Sequence, residues 1–136
     1  MHFYLDLADT VHISAEALVI PIEPPLNLKK RFQEVCIAIP SGSHDGATGV
    51  NTFSDGTEIE VNLEIKSIDG RWHELIYSTV GIKDYDPERD LATLTSIRFK
   101  IGNKDDMRES PFDAIRVRSS RPFTSSKIYF HDYNRK

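Results

Sequence analysis

Four carboxylates, Asp84, Asp86, Glu88 and Asp90, fall at every second position of one short polar segment. Calcium gathers several oxygen ligands and suits such a segment, so a calcium site is one reading of it. The segment is not an EF-hand loop. Arg89 stands where the sharp turn needs glycine, and Thr95 where the bidentate glutamate belongs. A solvated acidic turn is the other reading. Tyr85, inside the segment, is a candidate ligand contact.

Arg71, Trp72 and His73 form a second group. An indole face can stack on the apolar face of a sugar, and Arg or His beside it can hydrogen-bond the hydroxyls. A lone Trp in a small domain is also a common core residue. His44 and Asp45, with Asp55 farther on, could act as an acid–base pair or as metal ligands. Ser41 and Ser43 beside His44 look superficially like nucleophile and base, but a triad needs a rigid nucleophile and an orienting acid, and the segment shows neither. The five histidines never take the i, i+4 spacing of a helical zinc site. Cys36, in the apolar run Val35–Ile39, reads as a buried structural thiol. The sequence therefore points to a binding protein and not to an enzyme.

The third group is basic: Arg98, Lys100, Arg116, Arg118 and Arg121, with Tyr129 and His131. Arg grips carboxylate or phosphate through two parallel hydrogen bonds, so these residues could form an interaction surface. Basic and aromatic residues interleaved also suit single-stranded nucleic acid. Overall acidity and the lack of a nucleic-acid-binding motif speak against that partner. The structural alternative is that these cations pair with Glu58, Glu60 and Glu64 on neighbouring strands.

What must position these groups is a set of strands. Ile97-Arg98-Phe99-Lys100-Ile101, Ile115-Arg116-Val117-Arg118 and Ile128-Tyr129-Phe130-His131 alternate, so each puts apolar residues on one face and polar ones on the other. Thr57–Lys66 alternates in the same way, with Ile59, Val61, Leu63 and Ile65 inward. Asp69-Gly70 then makes a hairpin turn, and Arg71–Val80 returns. With a two-residue turn Leu63 pairs with Ile76. With a three-residue turn and Gly70 left-handed, Leu63 pairs with Leu75, Val61 with Tyr77, and Trp72 turns outward beside Lys66. The second register is preferred because it buries Leu75 and Tyr77; a slip of one residue would flip the whole returning strand. Further candidate strands are Phe3–Leu7, Val11–Ile13, Ala17–Ile22, which Pro24-Pro25 closes, and Phe32–Ile39. Residues 40–57 read as one long loop, and Leu91–Ser96 as a helical turn or a strand lead-in. About eight strands with polar turns predict an all-β, antiparallel two-sheet sandwich of jelly-roll type, a single domain over 1–136.

The 136 residues are 39% hydrophobic, enough for a core without disulfide or metal staples. The net charge of −4 is unevenly spread. Residues 1–91 hold 7 basic and 16 acidic side chains, and residues 92–136 hold 10 and 5. Such asymmetry suits head-to-tail self-association or a charged partner, unless the halves interleave and cancel. No signal-like start and no membrane-length apolar run is present in this chain. The lack of disulfides fits a reducing compartment and slightly favours the cytoplasm.

The order of the strand before it, the Ile68-Asp69-Gly70-Arg71-Trp72 hairpin, a polar loop, Thr95–Ile101, Phe112–Arg118 and a closing Ile128-Tyr129-Phe130 resembles the galactose-binding-like jelly rolls, the group containing discoidin and many carbohydrate-binding modules. The resemblance covers residues 55–133. It implies an eight-stranded sandwich, ligands held by loops at one end, often a structural calcium, and binding in place of catalysis. The terminal cysteine pair of discoidin-type members is absent, and no sugar-binding residue carries over by motif. The expected function is recognition of a carbohydrate or other polar ligand by the loops around 41–56, 84–90 and 102–111. The alternative is a protein-interaction module — accessory subunit, inhibitor or structural protein — using the basic face or the Pro24-Pro25 edge.

Overall fold

The computed structural model describes residues 3–27, 33–40, 42–45, 47–48, 50–75, 77–85, 92–101 and 111–132. Within them are eleven strands: β1 (Phe3–Ile13), β2 (Leu18–Leu26), β3 (Gln33–Ala38), β4 (Gly42–His44), β5 (Asn51–Phe53), β6 (Val61–Ser67), β7 (Trp72–Leu75), β8 (Tyr77–Tyr85), β9 (Ala92–Ile101), β10 (Phe112–Ser119) and β11 (Phe123–Asp132). The described residues include no helix, and hence none long and apolar enough to cross a membrane.

Two antiparallel sheets carry the fold, in the orders β1-β11-β3-β9-β8 and β2-β10-β6-β7. The chain pairs its first strand with its last and works inward: β1 with β11, β2 with β10, β3 with β9, β6 with β7. Successive pairs alternate between the sheets, which is jelly-roll connectivity. Eight strands make this frame. β8 extends one edge, and the β4–β5 hairpin is inserted before β6.

Alternation sets the layers. On β6, Val61, Leu63 and Ile65 are buried, while Glu64 and Lys66 are half-buried and Asn62 is exposed. Val35 and Ile37 of β3, Ile97 and Phe99 of β9, Ile115 and Val117 of β10, and Ile128 and Phe130 of β11 fill the space between the sheets.

The β6–β7 hairpin takes the bulged register. Leu63 pairs with Leu75 and Lys66 with Trp72. Gly70 has φ +91°, a left-handed conformation open to glycine, and the Gly70 and Ser67 amides donate to Ser67 O and Arg71 O. Beyond Leu75 the returning segment departs from expectation. Tyr77 pairs with Phe99 in the five-stranded sheet, not with Val61, because the chain changes sheets between Leu75 and Tyr77. The expected long loop over 40–57 also holds structure: Gly42–His44 pairs with Asn51–Phe53. Phe3–Ile13 is one strand and not two. Ala92–Ser96 belongs to β9, which excludes a helical turn there.

Candidate ligand-binding face

The outer face of the four-stranded sheet collects aromatic and charged groups on rigid strands. The tight turn at Gly70 fixes which way Trp72 points. Asp69 holds the turn, accepting from Ser67 Oγ and from the Arg71 amide at 3.0 Å. These bonds hold the Asp69 carboxyl below its usual range, Ser67 contributing most. Trp72 then faces outward, half-buried, across from Lys66.

Arg116 of β10 lies over the indole, its guanidinium carbon 4.1 Å from the ring centroid. Its Nε and Nη2 donate to the two oxygens of Glu64 at 2.9 and 2.8 Å. This fork is possible because Arg116 and Glu64 stand directly opposite each other on β10 and β6. Arg118 approaches the same carboxylate at 3.6 Å. The hydrogen bonds from Arg116 hold the Glu64 carboxyl below its usual range, despite the opposing effect of burial. Lys66 pairs with Asp113 at 2.8 Å, and Val19, opposite Arg116 on β2, is 51% exposed. A shallow groove of about 610 Å³ runs past Val19, Pro21, Lys66 and Asp113, and another of about 530 Å³ past Asn62, Arg118 and Ser120.

The groups singled out in the sequence are distributed as follows. Trp72, Arg116 and Arg118 come together. His73 does not join them: one residue on from Trp72, it points inward, is 9% exposed, and its Nε2 lies 3.1 Å from Ser67 Oγ. Arg71 is exposed at the turn and pairs with Asp69 at 3.4 Å. Tyr85 is buried against Tyr4 and Tyr129, so it is no surface contact for a ligand. Tyr129, read as part of an interaction surface, is wholly buried, with the rings of Tyr85 and Tyr4 packed against it.

The basic residues do not form one stripe. β9 and β10 are consecutive in sequence yet lie in different sheets, so Arg98 and Lys100 are separated from Arg116 and Arg118. Arg121 sits in the β10–β11 turn, 2.6 Å from Asp55 and over the Phe53 ring. Lys127 pairs with Asp6 and Asp9. Pairing between the acidic and basic parts of the chain is thus extensive, as the interleaved reading of the charge expects.

Asp45 is exposed and accepts from the Ala47 amide at 2.9 Å. His44 lies on β4, and its side chain is outside the described part of the structure. The same holds for the Asp84 side chain on β8, while Asp86, Glu88 and Asp90 lie outside the described residues altogether. Among the described residues no group of three His, Cys, Asp or Glu side chains is arranged to hold a metal ion. The 102–111 loop lies outside the described residues apart from Pro111.

One cluster escaped the sequence reading. Glu34, Cys36 and His131 are buried together on the outer side of the five-stranded sheet, with Tyr4 stacked on the His131 ring at 4.3 Å. Its signal was present in the alternation: Glu34 and Cys36, like Tyr129 and His131, occupy the positions that do not face the core. Comparison with protein-family models, curated proteins and solved structures found no match.

Proposed function

We propose that this chain is a non-catalytic binding module that recognises a carbohydrate on the outer face of its four-stranded sheet. The observation that carries the reading is Trp72, facing outward and held against an Arg116 that Glu64 locks in place. A rigid aromatic group next to oriented donors and acceptors is what a ligand with an apolar ring face and many hydroxyls requires. The groove past Lys66, the residue opposite Trp72, gives a bound chain room to continue. The reading moves recognition from the end loops to the sheet face, where the one tryptophan of the chain stands.

The test is a titration of the isotope-labelled protein with a panel of neutral oligosaccharides. Shifts in resonances of β6, β7 and β10, with a change in Trp72 fluorescence, support the reading. A full panel that moves none of these resonances contradicts it.

A second reading has its own observation. Val19 is an exposed apolar residue on the same face as Trp72 and Arg116, and Trp and Arg are the residue types that dominate protein–protein contacts. In that case the face meets a protein. A self-association seen by sedimentation and lost in Val19→Asp would favour it, with a second copy as the partner.

A further inference from the structure

The four strands of the smaller sheet each place one outward residue in a single row. Pro21 of β2 stands opposite Ala114 of β10, Ala114 opposite Lys66 of β6, and Lys66 opposite Trp72 of β7. Their strand neighbours Ile20, Ile22, Ile115, Ile65 and His73 point inward, so alternation turns the row away from the core. The row crosses the strands over three spacings, about 14 Å, from one edge of the sheet to the other.

Ala114 is the one small side chain in the row, and the groove of about 610 Å³ lies over it. Lys66 and Asp113, paired at 2.8 Å, line the groove together with the exposed rings of Pro21, Pro24 and Pro25. Three prolines fit on β2 because it is an edge strand, where a missing N–H need not break the ladder. The adjoining row, Val19, Arg116 and Glu64, runs alongside. Among the described residues that line the groove, Lys66 is balanced by Asp113, and Glu23 is left over. A chain of sugar acids or sulfated sugars would meet a like charge there. A peptide adds to the open edge of a strand, whereas this groove crosses strands already paired.

From this row we infer that the ligand is a neutral, linear polysaccharide held along its interior, lying across the strands with one sugar on Trp72 and the next ones over Ala114 and against the prolines. The inference rests on the reading of Trp72 as a sugar platform and adds the class, direction and length of the ligand. One sugar ring covers Trp72 alone, and several in line are needed to fill the row. Because the row runs from edge to edge, no strand of the sheet stops the chain at either end. Ala114 and Pro21 then determine specificity: the first keeps the groove open, and the second supplies an apolar ring at its far end.

Calorimetry with oligosaccharides of increasing length, cut from cellulose, xylan and mannan, tests this, with the Trp72 indole resonance followed in parallel. In the series that binds best, affinity rises at least about tenfold from monosaccharide to trisaccharide. It levels off once the row is filled, at about three to four units. Pro21→Ser removes the distal ring and Ala114→Gln raises the groove floor, and each cuts the gain with length by about threefold or more. Sugars that shift the Trp72 resonance but bind no more tightly as trisaccharide than as monosaccharide overturn the inference and leave Trp72 as a platform for a single sugar. Tighter binding of oligogalacturonate than of every neutral series overturns it too. A Trp72 resonance unmoved at every length overturns the platform reading itself, and the inference with it. Should Ala114→Gln fail to fold, the length series and Pro21→Ser decide.

Discussion

The Arg116 guanidinium carbon lies over Trp72, 4.1 Å from the ring centroid, while its fork is closed on Glu64. The aromatic ring thereby gains a fixed orientation from a residue on a strand two places away in the sheet. Lysine cannot replace this arginine, because an ammonium neither forks onto a carboxylate nor stacks as a plane. Arg116→Lys is expected to keep the fold and broaden the Trp72 side-chain resonances. Sharp, unshifted indole resonances in that variant would show that Arg116 does not order the ring.

The Glu64 carboxyl is held below its usual value of 4.5, first by its hydrogen bonds from Arg116. A carboxylate whose folded value is depressed lends stability above its unfolded value and loses it as pH falls through the folded one. Glu64 therefore contributes at pH 7, and its contribution fades below about pH 4.5. Thermal melts from pH 7 down to about pH 3 should fall less steeply in Glu64→Gln than in the unaltered protein. Asp55 and Asp69, also held low by hydrogen bonds, keep part of the slope. Equal slopes in both proteins would refute the assignment.

Gly70 decides the hairpin register by its φ of +91°, and a Cβ added there meets no atom within 4 Å. The cost of Gly70→Ala is thus conformational and not steric, about 1 kcal/mol. Gly70→Asn should cost less, since Asn tolerates the left-handed region. Urea midpoints ranked Gly, then Asn, then Ala confirm the bulged turn; equal midpoints contradict it.

Much of the frame is legible in the chain. Alternation in the Thr57–Lys66 and Ile97–Ile101 segments marks which residues enter the core, and Asp69-Gly70 together with Leu63 and Leu75 selects the register. The sheet switch between Leu75 and Tyr77 is hidden, because Arg71–Val80 alternates equally well on one sheet or on two. The basic stripe fails for a related reason: Arg98 and Arg116 look adjacent in texture, but jelly-roll connectivity sends β9 and β10 to different sheets. Tyr85 reads as a loop residue because its burial depends on packing against Tyr4 of β1 and Tyr129 of β11, strands distant in sequence, and no local pattern encodes that. Glu64 as the partner of Arg116 is within reach of the sequence, which offers the outward glutamates of Thr57–Lys66 to outward arginines. Which of them meet depends on a register between strands about fifty residues apart.

The central claim is that Trp72 anchors a carbohydrate. Calorimetry with the best-binding oligosaccharide, on the unaltered protein and on Trp72→Ala, tests it most directly. Circular dichroism serves as the check that both are folded. The account predicts saturable binding that weakens at least about tenfold when the ring is removed, on the order of 1.4 kcal/mol or more. Affinity unchanged in a folded Trp72→Ala would contradict it.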